Sequence, residues 1–86
     1  MPQISRFQGI TLTMYYDDHL PPHFHVRCNG QKALIRISPA SLLAGEIPAK
    51  VKKLVIEWAN LHQAELLENW ELATKNKPLK IIEPLE

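Results

Sequence analysis

An α+β fold, an antiparallel sheet packed on two C-terminal helices, is predicted by three features of this 86-residue chain. Apolar residues alternate with threonine and tyrosine near the N-terminus. An Asn29-Gly30 pair then separates two further strand-like runs. From Val51 to Ala73 the apolar residues recur at helical spacing. The length predicts one domain over residues 1–86.

The first strand is predicted over 9–16. Ile10, Leu12, Met14 and Tyr16 alternate with Thr11, Thr13 and Tyr15, the period of a half-buried strand. Residues 17–22 cannot continue it, because Pro21 and Pro22 fix φ and hold their predecessors extended. His23 to Cys28 is the second strand, and Asn29-Gly30 is the turn pair that tolerates the positive φ of a type I′ hairpin. Gln31 to Ser38 returns as the third strand.

A two-residue turn sets Cys28 opposite Gln31, Arg27 opposite Lys32, His25 opposite Leu34 and His23 opposite Arg36. One face then carries Phe24, Val26, Cys28, Ala33 and Ile35, which is core. The other carries His23, His25, Arg27, Lys32, Leu34 and Arg36. Residues 39–45 form a turn holding a short apolar piece, Leu42-Leu43, a candidate brief fourth strand. The sheet is therefore a meander of three to four strands.

Pro48 suits the first position of a helix. Val51, Leu54, Val55, Trp58, Leu61, His62, Leu66, Trp70 and Ala73 continue the apolar stripe. A straight helix over 48–76 would span ~43 Å, too long for a domain of this size. A break is expected near 61–64, giving two helices, with a stop at Asn76-Lys77-Pro78. Residues 79–82 are a short final strand or an extended tail.

The net charge of +1 divides unevenly, +4 over residues 1–53 and −3 over 54–86. The front half is thus suited to an anion. Cys28 is the only cysteine, so no internal disulfide can form, and the expected compartment is the cytoplasm. Residues 1–6 lack the apolar core of a signal peptide, and no apolar run nears the ~20 residues of a membrane span.

The chemistry concentrates in Asp17-Asp18-His19-Leu20-Pro21-Pro22-His23-Phe24-His25, which holds three of the four histidines. Histidine titrates near working pH, at roughly 6.5 unperturbed. His23 and His25 are the candidate catalytic residues, one to take the 2′-OH proton of RNA and the other to protonate the leaving oxygen. Arg27, Lys32 and Arg36 are the candidate anion, RNA or partner-binding cations, with Tyr15 placed to stack on a base. Arg27 opposite Lys32 is a like-charge pair that folding does not ask for and an anion would relieve.

A metal reading competes with this one. His19, His23 and His25 with Asp17 or Asp18 supply ligand types for zinc or iron, and His23 and His25 share a strand face from which both could reach one ion. But His19 lies beyond two prolines, and no recognised ligand spacing is present. The expectation is therefore no metal and no cofactor, in a protein that folds without an ion. Asp17, Asp18 and His19 also have a structural reading, as anchors of the turn.

The run Ile4-Ser5-Arg6-Phe7-x-Gly9-Ile10, then Met14-Tyr15-Tyr16-Asp17-Asp18-His19-x-Pro21-Pro22-His23-Phe24-His25-Val26, resembles a family of small bacterial and phage-borne proteins known as a domain of unknown function. Glu57-Trp58-Ala59-x-Leu61-His62, Glu65-Leu66-Leu67-x-Asn69-Trp70 and the ending Leu79-Lys80-x-Ile82-Glu83-Pro84-Leu85 resemble it too. The resemblance implies the toxin member of a two-protein toxin–antitoxin module, with a small antitoxin-like protein as partner. It implies no catalytic residues. The basic histidine face adds RNA or translation as the expected target. The alternatives are a non-catalytic protein-binding module and a metal-dependent enzyme using the histidines.

Overall fold

A computed structural model describes residues 3–16 and 18–85. Five strands run in chain order through one antiparallel sheet: β1 Gln3–Phe7, β2 Ile10–Thr13, β3 His23–Cys28, β4 Gln31–Arg36 and β5 Ser41–Gly45. Two helices follow, α1 Ala49–Leu61 and α2 Gln63–Thr74. The α+β class and the meander are as the sequence predicts, with one strand more at the N-terminal edge. β1 has no clean alternation, because Ile4 and Ser5 are both buried at a register shift between Gln3 and Ser5. A period-of-two reading passes over such a segment. β2 is also shorter than the alternating run that predicts it.

The β3–β4 register is the one the Asn29-Gly30 turn implies, from Cys28↔Gln31 through Arg27↔Lys32 to His23↔Arg36. Asn29 and Gly30 have φ of 48° and 80°, as a type I′ turn requires. Beyond the strand ends, Ile37 N–H donates to Pro22 O at 3.0 Å and lengthens the hairpin by one bond. β5 is the brief strand around Leu42-Leu43. It ends at Gly45, whose φ is +84° and whose position leaves no room for a side chain: a Cβ there would lie 2.7 Å from the Cα of Ala33.

One face of the sheet is the core. Ile4, Leu12, Met14, Phe24, Ile35 and Ile37 are fully buried against Val55, Trp58 and Ala59 of α1 and Leu66 of α2. Trp58 meets Phe24 edge-on at 5.7 Å and Phe7 at 6.0 Å. Its indole N–H donates to Glu83 O at 2.8 Å, so the largest core side chain leaves no buried donor unpaired. Cys28 is buried, in keeping with a small apolar role.

The helical stripe breaks at His62, between α1 and α2. The longest dimension of the molecule is 33 Å, shorter than the ~43 Å of an unbroken helix. His62 is half-buried against Trp58 and its Nδ1–H donates to Glu65 Oε1 at 2.6 Å. Among the described residues no helix is long and apolar enough to cross a membrane.

Residues 77–85 form the extended tail rather than a strand, yet they are held firmly. The buried Asn69 clamps Lys80 at both ends of its side chain: Nδ2 donates to Lys80 O and Oδ1 accepts from Lys80 N–H, each at 2.9 Å. Further on, Ile82 N–H donates to Ile4 O at 2.7 Å and the Ile82 side chain is buried. The tail therefore ties α2 to the edge strand β1.

Two stability predictions follow from these contacts. Gly45→Ala combines an unfavourable φ with a backbone clash, and should destabilise by about 2–3 kcal/mol, or roughly 10 °C or more in Tm by thermal denaturation. Asn69→Ala removes two hydrogen bonds to Lys80 and leaves the tail held only beyond it, by Ile82 on Ile4 and Glu83 on Trp58. It should cost about 2–4 kcal/mol in urea denaturation and make the C-terminal segment cleavable by protease in the otherwise folded protein.

Candidate functional site

The outer face of the sheet is organised in rows, because residues directly opposite across antiparallel strands point to the same side. One row runs Arg6–Thr11–Arg27–Lys32 from β1 to β4. The next runs Thr13–His25–Leu34–Ala44 from β2 to β5. A third pairs His23 with Arg36 and Ser41. A groove of about 360 Å³ lies on this face, walled by Thr11, Thr13, Tyr15, His25, Arg27 and Lys32.

Arg27 and Lys32 are exposed and face each other across the hairpin. Among the described residues neither forms a salt bridge. Arg6 joins them as a third exposed cation in the same row. The sequence reading misses Arg6, because it places no strand before Gly9. Tyr15 is half-buried and sets its ring edge-on to His25, 4.3 Å between centroids. It thus forms one wall of the groove.

His23 and Arg36 are not the open surface groups the alternation predicts. His23 is only 5% exposed. Trp70 of α2 lies 5.4 Å from its ring, because α2 covers this end of the sheet. Arg36 is half-buried, and its buried Nε has no hydrogen-bond partner among the described residues. A rule that assigns whole faces cannot foresee a helix that covers one end of a face.

His23 and His25 do come together, and the group that joins them is Asp18. Its Oδ2 lies 2.9 Å from His25 Nε2 and 3.1 Å from His23 Nε2. Its Oδ1 accepts the His19 backbone N–H at 3.0 Å. On its other side, His23 Nδ1 is 2.8 Å from Pro21 O. A carbonyl only accepts, so Nδ1 carries the proton there and Nε2 faces the carboxylate. Asp18, His23 and His25 each offer one ligand atom, and these atoms all lie within 4.8 Å of one another.

His19 is exposed and contributes its backbone rather than its ring to this cluster. The third group beside the two histidines is therefore a carboxylate and not the third histidine of the motif. The turn role expected of Asp18 is present, and of the two acids weighed beside the histidines Asp18 is the one that holds both rings, a direct hydrogen-bonded contact that the sequence reading does not specify. Asp18 stands seven positions before His25 with two prolines between them, and no spacing rule predicts that the loop returns. The role expected of Asp17 lies outside the described residues.

Burial of the Asp18 carboxyl works to raise its pKa. The hydrogen bond from His25, the backbone N–H of His19 and the charges of His23 and His25 outweigh it, and the carboxyl is held below its ordinary value. A carboxyl depressed in the folded state contributes stability that is present above its unfolded pKa and lost as pH falls through the folded one. In urea denaturation of metal-free protein, Asp18→Asn should be less stable than wild type near about pH 7. The difference should shrink as pH falls below the ordinary aspartate value and close only once pH has passed through the lowered folded-state value, where wild-type Asp18 is protonated in both states.

No curated protein and no solved structure matches the chain. One family does, over residues 9–71, from the β1–β2 turn to the last part of α2. That span takes in most of the chain, with the Asp18 cluster and every residue lining the groove, so this protein belongs to the family described as Domain of unknown function (DUF4160).

Proposed function

We propose that this protein is the toxin-like member of a bacterial two-protein module and that its outer sheet face binds RNA. The observation that carries this reading is the Arg6–Thr11–Arg27–Lys32 row along a groove with a tyrosine and a histidine in its wall. Like charges set opposite each other oppose folding slightly, and a phosphodiester backbone lying over them converts the repulsion into attraction. Threonine hydroxyls between the cations can donate to phosphate oxygens, and Tyr15 offers an edge or face to a base. The resemblance noted in the sequence supports the toxin setting.

Within this reading His25 is the group that meets the ligand, because it lines the groove and is held by Asp18. His23 is a positioning residue that acts through Asp18. A proton-transfer role for His25 makes the protein a nuclease. Without one it acts by occupying its target.

A 5′-labelled single-stranded RNA followed by fluorescence anisotropy tests the reading. The double variant Arg27→Glu with Lys32→Glu should fold normally and bind at least about tenfold more weakly, a loss of roughly 1.4 kcal/mol or more. The two lost phosphate contacts should also flatten the slope of log K against log salt by about 1.4. RNA binding unchanged in this variant would sink the proposal. Tight binding of an acidic partner protein in place of RNA would turn the face into a protein interface. In a growth-arrest assay, His25→Ala that still binds RNA but no longer arrests growth identifies the enzyme. His25→Ala that arrests growth as wild type does identifies the binder.

A further inference from the structure

We propose that Asp18, His23 and His25 form a binding site for one divalent first-row transition ion of the Zn2+ type. The inference concerns the cluster beside the groove and does not depend on what the groove binds.

Three observations carry it. The first is distance. Ligands held at 2.0–2.2 Å from one ion stand about 2.9 Å apart at right angles and about 3.4 Å apart at tetrahedral angles. The two contacts of Asp18 Oδ2, 2.9 and 3.1 Å, are therefore edges of a coordination sphere as well as hydrogen-bond lengths. The second is the direction of the His23 ring. Its Nδ1–H is spent on Pro21 O, so Nε2 is the nitrogen turned toward the carboxylate oxygen. A divalent ion that displaces the proton from Nε2 would be ligated by both atoms at once. A histidine that donates one nitrogen to a carbonyl and presents the other is the usual form of a metal ligand. The third is the setting. His23 is buried beneath Trp70, and Oδ1 of Asp18 is tied to the His19 N–H, so two of the three ligands are already oriented.

The donor set of two imidazoles and one carboxylate suits zinc or ferrous iron and disfavours Mg2+ and Ca2+, which prefer oxygen alone. Three protein ligands leave a tetrahedral ion one further position, as in catalytic rather than structural zinc sites. His25 belongs to both cluster and groove, so the ion would sit beside whatever the groove holds. The core needs no ion, since sheet and helices bury their own apolar faces. Metal binding is thus an added property and not a condition of folding.

The test is titration of chelator-treated protein with Zn2+ by calorimetry, and with Co2+ by visible absorption. One ion per chain is expected. Asp18→Ala and His25→Ala, with circular dichroism unchanged, should bind at least about 100-fold more weakly, whereas His19→Ala should match wild type. Ring 15N NMR of wild-type protein serves if a variant fails to fold: one equivalent of Zn2+ should shift Nε2 of His23 and His25 and leave His19 and His62 in place. No saturable one-to-one binding, or NMR shifts confined to His19 or His62, would overturn the site and leave a histidine pair sharing a proton network with Asp18. Wild-type affinity in folded Asp18→Ala and His25→Ala would overturn it equally. The Arg27→Glu, Lys32→Glu protein should take up Zn2+ as wild type does, so this site and the RNA reading stand or fall separately.

Discussion

The register of the β3–β4 hairpin is the constraint on which the rest of the molecule depends. Side chains alternate with a period of two, so a slip of one residue would send Phe24, Val26 and Ile35 to solvent and bring Arg27 and Lys32 into the core. Burial of three large apolar groups holds the pairing on one side. On the other, the Asn29-Gly30 turn sets it locally, from two neighbouring residues with positive φ. With that pairing in place, neighbours within each row stand about 4.7–4.9 Å apart along the hydrogen-bonding direction, and the cationic and histidine rows lie two residues apart along the strands.

Two features of the outer face run against stability. Arg27 meets Lys32, and a histidine is buried at a strand end beneath a tryptophan. Local rules broken together, on one face and around one loop, are what makes this face the candidate site. The rest of the fold supplies the compensation. Trp58 satisfies its N–H on the tail, Asn69 saturates both ends of its amide on Lys80, and Ile82 binds the edge strand. These bonds make the helices and tail a rigid backing, so the opposite face can carry unfavourable charge without loss of shape.

Asp18 links the two halves of the site. Through His25 it touches the groove, and through His23 it reaches the end of the sheet covered by α2. The segment that carries it is stiffened by Pro21 and Pro22, whose carbonyls take the Nδ1–H of His23 and the N–H of Ile37. Ordering the loop and aiming the rings are thus one event. A flexible loop of the same length would have to lose its backbone freedom each time the cluster formed.

Much of the fold was legible because it rests on local patterns. The Asn29-Gly30 hairpin, the pairing of Arg27 with Lys32, the core stripe of the helices and the break at His62 each follow from a few neighbouring residues and from chain geometry. The cationic row was half legible: its β3–β4 part follows from register, whereas Arg6 enters only through a strand whose bulge hides its periodicity. What the sequence by itself determined is which side chains share a face. Only the tertiary structure decided which of them are covered and which meet. Alternation places His23 beside His25 on an open sheet, but α2 packs over the strand end and buries it. Spacing leaves Asp18 in a turn, but the proline-bound loop folds back and sets its carboxylate between two rings seven and five residues away. Burial by a distant helix and the return of an irregular loop depend on contacts between segments, and no period along the chain encodes them.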